Sequence, residues 1–303
     1  CLTLLPATAL AEDGHTHCLC GAAHNSDIKT HQEGQKTTFA TRLSYGSGKS
    51  IWFSDGEPLK VENNQWLLPE GCYYLDDHTS DTYVTKYTIK ITGNVTICLN
   101  GQKIEKIGGD KAPVFEVTNG YVLTLTDCKG SGKVTHSSME KEGSGVYVNG
   151  STLNLYEGQI AGNNGRENST SYERYGGVYV NNGTFNMYGG AITENDANYG
   201  GGVYVKGSTF NMYGGTIKSN ESSKRVESDS GGAGVYMESG NFIMKNTASV
   251  TENKTGAVNW VGSGAEDYDV IKFKPTTSKY KIIARGWIDL ANPSAGFDSA
   301  SAA

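Results

Sequence analysis

One four-residue phrase returns four times along this chain, and its spacing decides what the polypeptide can fold into. It reads Gly145-Val146-Tyr147-Val148, Gly177-Val178-Tyr179-Val180, Gly202-Val203-Tyr204-Val205 and Gly234-Val235-Tyr236-Met237. Each copy is followed by a second apolar run: Leu153-Asn154-Leu155-Tyr156, Phe185-Asn186-Met187-Tyr188, Phe210-Asn211-Met212-Tyr213 and Phe242-Ile243-Met244. A third element closes each unit, with Ile160 before Asn163, Ile192 before Asn195, Ile217 before Asn220 and Val250 before Asn253. Three short strands separated by glycine-rich corners describe one rung of a stacked solenoid, because a unit this small cannot bury its apolar face alone.

The copies also supply a ruler. Phe185 to Phe210 and Asn195 to Asn220 are both 25 residues, whereas Val146 to Val178 and Val203 to Val235 are both 32. The seven extra residues fall between the closing Asn and the next Gly-Val-Tyr-Val, in the polar stretches 165–175 and 221–232. Insertions confined to one corner predict loops along one edge, where repeat proteins often carry function.

Side chains alternate along a strand, so within Gly-Val-Tyr-Val the valines share one face and Tyr takes the other. By the same rule Phe185 and Met187 point inward while Asn186 and Tyr188 point out. Two outward columns follow: Tyr147, Tyr179, Tyr204 and Tyr236, then Tyr156, Tyr188 and Tyr213. Stacked strands would repeat them at about 4.8 Å.

The expected fold is all-β: a right-handed single-stranded parallel β-helix with three strands per rung of about 25 residues. Degenerate units extend it upstream through Val114–Val117, Leu123–Leu125 and Val134, and before them Tyr87–Ile91 and Val95–Leu99. The β-helix region is assigned to residues 51–255, with its first true rung expected near Gly71–Leu75. Residues 12–50 read as a leader or N-terminal cap, 256–290 as capping strands, and 291–303 as a flexible, truncated tail. The strand-like runs of the C-terminal cap are Tyr268–Phe273, Tyr280–Ala284 and Trp287–Leu290.

Forty glycines against six prolines suit a chain of many corners, and no amphipathic helix of three turns is visible. A formal charge of −6 without a basic stripe argues against nucleic-acid or anionic-membrane binding by bulk charge. The first eleven residues, closing on Ala9-Leu10-Ala11, read as the remnant of a secretory signal, so a secreted or cell-surface protein is expected. The rival reading makes Cys1 a lipidated N-terminus. Cys98 and Cys128 lie in neighbouring apolar strands, where a disulfide and two buried thiols both remain open; the pairing of Cys72 is open too.

The rung pattern Gly-Gly-Val-Tyr-Val, Phe-Asn-Met-Tyr-Gly-Gly, Ile and Asn resembles the parallel β-helix repeats of exported, adhesin-like proteins of gut bacteria, which have a pectate-lyase-like fold. It is more loosely similar to the repeats of chlamydial polymorphic outer-membrane proteins. The entry segments Gly71–Leu75, Val95–Gly101 and Leu123–Cys128 resemble the start of the same class, so the likeness covers roughly residues 71–253. Ser144 and Ala233 replace the first glycine of the phrase in two units, and the chlamydial Phe-x-x-Asn pattern is absent as such. The resemblance implies a bacterial surface binding module.

The candidate ligand-binding residues are the two tyrosine columns, whose rings and hydroxyls suit glycans or a host-surface protein. The competing reading is that stacked tyrosines only tie neighbouring rungs together. The columns Asn154, Asn186, Asn211 and Asn195, Asn220, Asn253 read as structural amide ladders. The fold also houses polysaccharide lyases and glycoside hydrolases, so an enzyme is the alternative. A lyase needs an acidic calcium site with a basic proton acceptor, and a hydrolase needs two facing carboxylates. Here Asp127 is the one carboxylate at a strand end, Arg166, Arg174 and Arg225 lie in loops, and Asp76-Asp77 lacks the rest of a hydrolase motif. No catalytic residue and no cofactor is assigned, calcium entering only with the lyase reading. His15, His17, Cys18, Cys20 and His24 form a zinc-capable cluster, though a spacing of one is tighter than usual sites. A passive stalk displaying another domain is the third reading.

Overall fold

The structure, a computed structural model, describes residues 15–18, 36–39, 41–46, 51–77, 82–108, 111–137, 143–165, 176–222, 232–255, 271–273 and 281–285. Among these the chain is all-β, with no helix. The Val-Tyr-Val phrases form strands Val146–Asn149, Val178–Asn181, Val203–Lys206 and Val235–Met237. They pair in parallel, valine on valine and tyrosine on tyrosine. Upstream the same sheet continues through Phe115–Val117, Thr88–Ile91 and Gln65–Leu68, and downstream to Ile271–Phe273.

The second runs behave alike. Thr152–Leu155 and Thr184–Met187 stack in parallel onto the first half of Ser208–Lys218, placing Leu153, Phe185 and Phe210 in line. This stack reaches back through Val122–Thr126 and Val95–Cys98 to Gly71–Leu75. The third elements, Gln159–Ala161 and Ala191–Thr193, align with the second half of Ser208–Lys218 and reach back to Lys133–His136, Lys103–Lys106 and Thr82–Thr85. Ser208–Lys218 therefore joins two stacks into one sheet. A smaller sheet holds Asn164–Gly165, Asp196–Ala197, Glu221–Ser222 and Lys254–Thr255. These mostly parallel sheets are compatible with the expected β-helix.

The alternation holds. Val146, Val148, Val178, Val180, Phe185, Met187, Ile192 and Ile217 are fully buried in one continuous core. Along that core Phe185 and Phe210 stack at 4.7 Å with planes 4° apart, and Phe210 meets Phe242 at 5.0 Å. Such ring stacking requires the register that the sequence period imposes.

The N-terminal end differs from the expected plan. Parallel pairing begins before Gly71, since Thr41–Gly46 lies parallel on Gly71–Leu75. Between them antiparallel hairpins intervene: Thr41–Gly46 with Ile51–Ser54, Ile51–Ser54 with Glu57–Pro58, and Lys60–Glu62 with Gln65–Leu68. The turns at Asp55-Gly56 (φ 47° and 88°), between Ile51–Ser54 and Glu57–Pro58, and at Asn63-Asn64 (φ 49° and 60°), between Lys60–Glu62 and Gln65–Leu68, take the left-handed pairs of tight hairpin turns. The hairpins are tied down by Trp52 Nε1, which donates to the Val84 carbonyl at 3.1 Å, and by the Tyr83 hydroxyl, which reaches Leu43 and Asp76 carbonyls at 3.1 and 2.7 Å. Beyond Asn253, Ile271–Phe273 and Lys281–Arg285 add further parallel strands. The third expected run, 287–290, lies outside the described residues, as do the residues assigned to the signal remnant and the tail.

Candidate functional site

The second tyrosine column is the more regular of the two. Each ring follows an inward Leu or Met by one residue, so alternation turns it outward beside the Asn of the same strand. Tyr156 and Tyr188 stack at 4.4 Å with planes 16° apart, and Tyr188 and Tyr213 at 5.1 Å with planes 21° apart. All three are half-buried. Parallel rings at this distance occupy each other's faces, so the column offers solvent its ring edges and hydroxyls rather than flat aromatic faces. The Tyr188 hydroxyl is held above its ordinary value chiefly by burial and next by Tyr213, while a hydrogen bond with Tyr156 acts in the opposite sense. Tyr188 is therefore neutral at physiological pH.

Beside it runs an amide ladder. Asn211 Nδ2 donates to Asn186 Oδ1 at 2.8 Å, Asn186 Nδ2 to Asn154 Oδ1 at 2.9 Å, and Asn154 Nδ2 to the Thr124 hydroxyl at 3.2 Å. Thr152, Thr184 and Thr209 are in register on the same outward face. The result is a grid of three by three, Thr-Asn-Tyr on each of three strands, half-buried and uncharged throughout.

The first column is a different object. Tyr147 and Tyr179 are half-buried and meet at 5.1 Å, but Tyr204 and Tyr236 are only 6% and 3% exposed. Tyr179 meets Tyr204 edge-on at 5.5 Å, Tyr204 stacks on Tyr236 at 5.1 Å, and Tyr199 covers Tyr236 at 5.2 Å. The Tyr204 hydroxyl donates to Glu238, which Lys206 approaches at 3.6 Å. Of this column, only Tyr147 and Tyr179 retain appreciable solvent access.

Asp127 has a structural position. It is 1% exposed, and its carboxylate accepts from the Gly101 and Gly132 amides at 2.6 Å each and from the Lys129 amide at 3.4 Å. The neighbouring acid is Glu157, also buried, whose carboxyl is pushed up to about 8 by burial first, then by Asp127 and Cys128. Asp76 and Asp77 form outward ion pairs with Arg42 at 3.5 Å and Lys129 at 2.7 Å. Nothing in the repeat signals Glu157, which occurs in one repeat only, or the Glu238 partner and the nearby Tyr199 that accompany the burial of Tyr204 and Tyr236.

His15, His17 and Cys18 share strand His15–Cys18, paired antiparallel with Lys36–Phe39, whereas Cys20 and His24 lie outside the described residues. Among the described residues no three His, Cys, Asp or Glu side chains are grouped to hold a metal ion. Arg166, Arg174 and Arg225, with most of both inserted loops, also lie outside them. No helix of the described residues is long and apolar enough to cross a membrane. The chain matches no family model, no curated protein and no solved structure.

Proposed function

We propose that the chain is a secreted or cell-surface right-handed parallel β-helix acting as an adhesion module for neutral glycans. In-register parallel pairing of three elements per repeat supports the helical path. The observation that carries the binding reading is the outward Thr-Asn-Tyr grid, with tyrosine rings stacked at 4.4 and 5.1 Å beside a continuous amide ladder. Each Asn in the ladder spends one donor on its neighbour and keeps a second, and each Tyr carries a hydroxyl at its rim. A surface that is uncharged, polar and repeated suits a ligand that is itself uncharged, hydroxyl-rich and repeated. Ring edges supply apolar contact for sugar CH groups, and the ladder holds every donor in place before the ligand arrives.

The test is retention on a panel of neutral glycans, anionic glycans and host-surface proteins, with far-UV circular dichroism confirming the fold of each variant. Tyr188→Ala and Asn186→Ala are expected to weaken retention of a neutral glycan by about tenfold each, roughly 1.4 kcal/mol. Tyr236→Phe, in the buried cluster, should leave it unchanged. Unaltered retention in a folded Tyr156→Ala, Tyr188→Ala, Tyr213→Ala triple variant, or no retention of any glycan by the native chain, would overturn the proposal.

A further inference from the structure

We propose that Cys98 and Cys128 are the two halves of a disulfide that locks adjacent repeats together at one corner. Cys98 ends strand Val95–Cys98 and is fully buried, in register with Thr126 of the next strand. Just past these positions both chains turn: Asn100 adopts φ 50°, and Leu99 donates to the Thr126 carbonyl at 2.8 Å. Cys128 comes back over this corner, with its sulfur 3.5 Å from Asn100 Oδ1. The two thiols, from separate repeats, are near enough that Cys128 raises the Cys98 thiol further after burial has done so.

The corner is braced on every side. Asp127, between Thr126 and Cys128, holds the Gly101 and Gly132 amides at 2.6 Å. Asn100 Nδ2 donates to the Leu75 carbonyl at 2.9 Å. Small side-chain rotations suffice to bring two such sulfurs to bonding distance, and the fixed backbone holds them against drifting apart. Cys72, by contrast, is in register with Thr96 and has no cysteine opposite it. The pairing is thus specified by position and does not depend on the glycan reading.

The accessible member acts first. Cys128 is half-buried and Cys98 is not exposed at all, and burial together with nearby Cys128 pushes the Cys98 thiol up. The thiolate of Cys128 attacks one sulfur of an external small-molecule disulfide such as oxidised glutathione, and one thiolate leaves. The resulting mixed disulfide places its Cys128 sulfur beside Cys98. Cys98 gives its proton to solvent base and attacks that sulfur, expelling the second thiolate. Two protein thiols are oxidised, one external disulfide is reduced to two thiols, and no other reactant is needed.

The experiment is non-reducing peptide mapping of the full chain after exposure to oxidised glutathione and alkylation of the remaining thiols. Trypsin releases residues 91–103 and 112–129, each with a single cysteine. A cross-linked peptide lighter by two hydrogens than the sum of the two is expected, disappearing on reduction, with Cys72 recovered alkylated. Oxidised protein should melt about 5 °C above the reduced form, and the difference should vanish in Cys128→Ser. Recovery of both peptides separately alkylated from folded, oxidised protein would overturn the proposal. So would a cross-link from either residue to any other cysteine. The mapping needs only the native sequence, so a variant that fails to fold does not spoil it.

Discussion

Two kinds of buried polar residue share this interior, and they obey opposite rules. Asn163, Asn195, Asn220 and Asn253 are satisfied by repetition. Each of the first three gives its Nδ2 to the next amide oxygen at 2.8–3.0 Å and its backbone N–H to the same oxygen at 3.0–3.1 Å. The same Nδ2 groups also reach the Val134, Ile160 and Ile192 carbonyls one repeat back. His136 heads the ladder, its Nδ1 at 2.8 Å from Asn163 Oδ1. Glu157 differs in that it belongs to one repeat only, and burial together with Asp127 and Cys128 disfavours its charged form. Its carboxyl titrates near 8 rather than 4.5, so between these values the folded chain binds a proton that the unfolded chain has released. The protonated state's stability is present in full below about 4.5 and is lost as pH rises through about 8. Glu157→Gln, which keeps the shape without the charge, should flatten this dependence. Urea midpoints of the two proteins should agree near about pH 5, and the variant should be the more stable by about 2 kcal/mol near about pH 9. A wild-type midpoint that rises over that window would refute the assignment. The Asn ladder was legible in the sequence because an Asn closes each repeat, at spacings of 32, 25 and 33 residues. Glu157 was not, since it occurs in one repeat only and its environment is made by Asp127 of another.

At the scale of the element, glycine placement explains why the phrase opens as it does. A Cβ on Gly177 would stand 2.6 Å from the Gly202 carbonyl oxygen and 2.8 Å from Asn195 Nδ2. Gly145 and Gly202 would collide with the corresponding groups of their own neighbours, at 2.8 Å for each amide or carbonyl of the former and 2.5 Å for the carbonyl nearest the latter. Gly-Val-Tyr-Val is thus a close-approach signal: the next strand's backbone and the Asn ladder both need the space. Gly177→Ala should lower the melting temperature by about 5 °C or more through backbone displacement, and a melt within about 1 °C of the native chain would show that the corner yields. Strand identity and inward–outward sense were readable for the same reason, period two being enforced by a core on one side. The N-terminal hairpins were harder. Their turn signals, Asp55-Gly56 and Asn63-Asn64, are present in the sequence, but the flanking strands lack the repeating phrase and resemble the degenerate parallel units around them. The tyrosine columns show the limit most clearly. Alternation correctly turns Tyr204 and Tyr236 away from the main core, yet Tyr199, from a corner that alternation does not describe, closes over Tyr236. Outward is a property of the strand; exposed is a property of everything packed beside it.

For the molecule as a whole, the pairing pattern sets how stability is distributed. From Gly71 to Thr255 the described strands pair with counterparts in adjacent repeats, and none of these pairings skips a repeat. Coupling is therefore nearest-neighbour, and a repeat alone has too little core to offset its own ordering entropy. This much was visible from the period itself, whereas the proposed ligand was not, because an uncharged surface leaves no mark as sharp as a metal or catalytic cluster. Nearest-neighbour coupling makes a central weak point more damaging to cooperativity than its own energy suggests. Phe210 is the middle ring of the buried stack, 4.7 Å from Phe185 and 5.0 Å from Phe242. Phe210→Ala would cost about 3–5 kcal/mol from the cavity and lost contacts. It also removes the contact that transmits order from the repeats before it to those after it. The native chain should unfold in urea as one transition by tyrosine fluorescence and circular dichroism. In Phe210→Ala the curve should divide, with the C-terminal repeats melting first because they have the fewer neighbours, while Tyr83 and the N-terminal hairpins persist. Hydrogen exchange would locate the break: protection should fall across 203–255 and hold across 65–165. A variant that loses protection uniformly along its length would show that the chain couples over longer distances than its pairing implies.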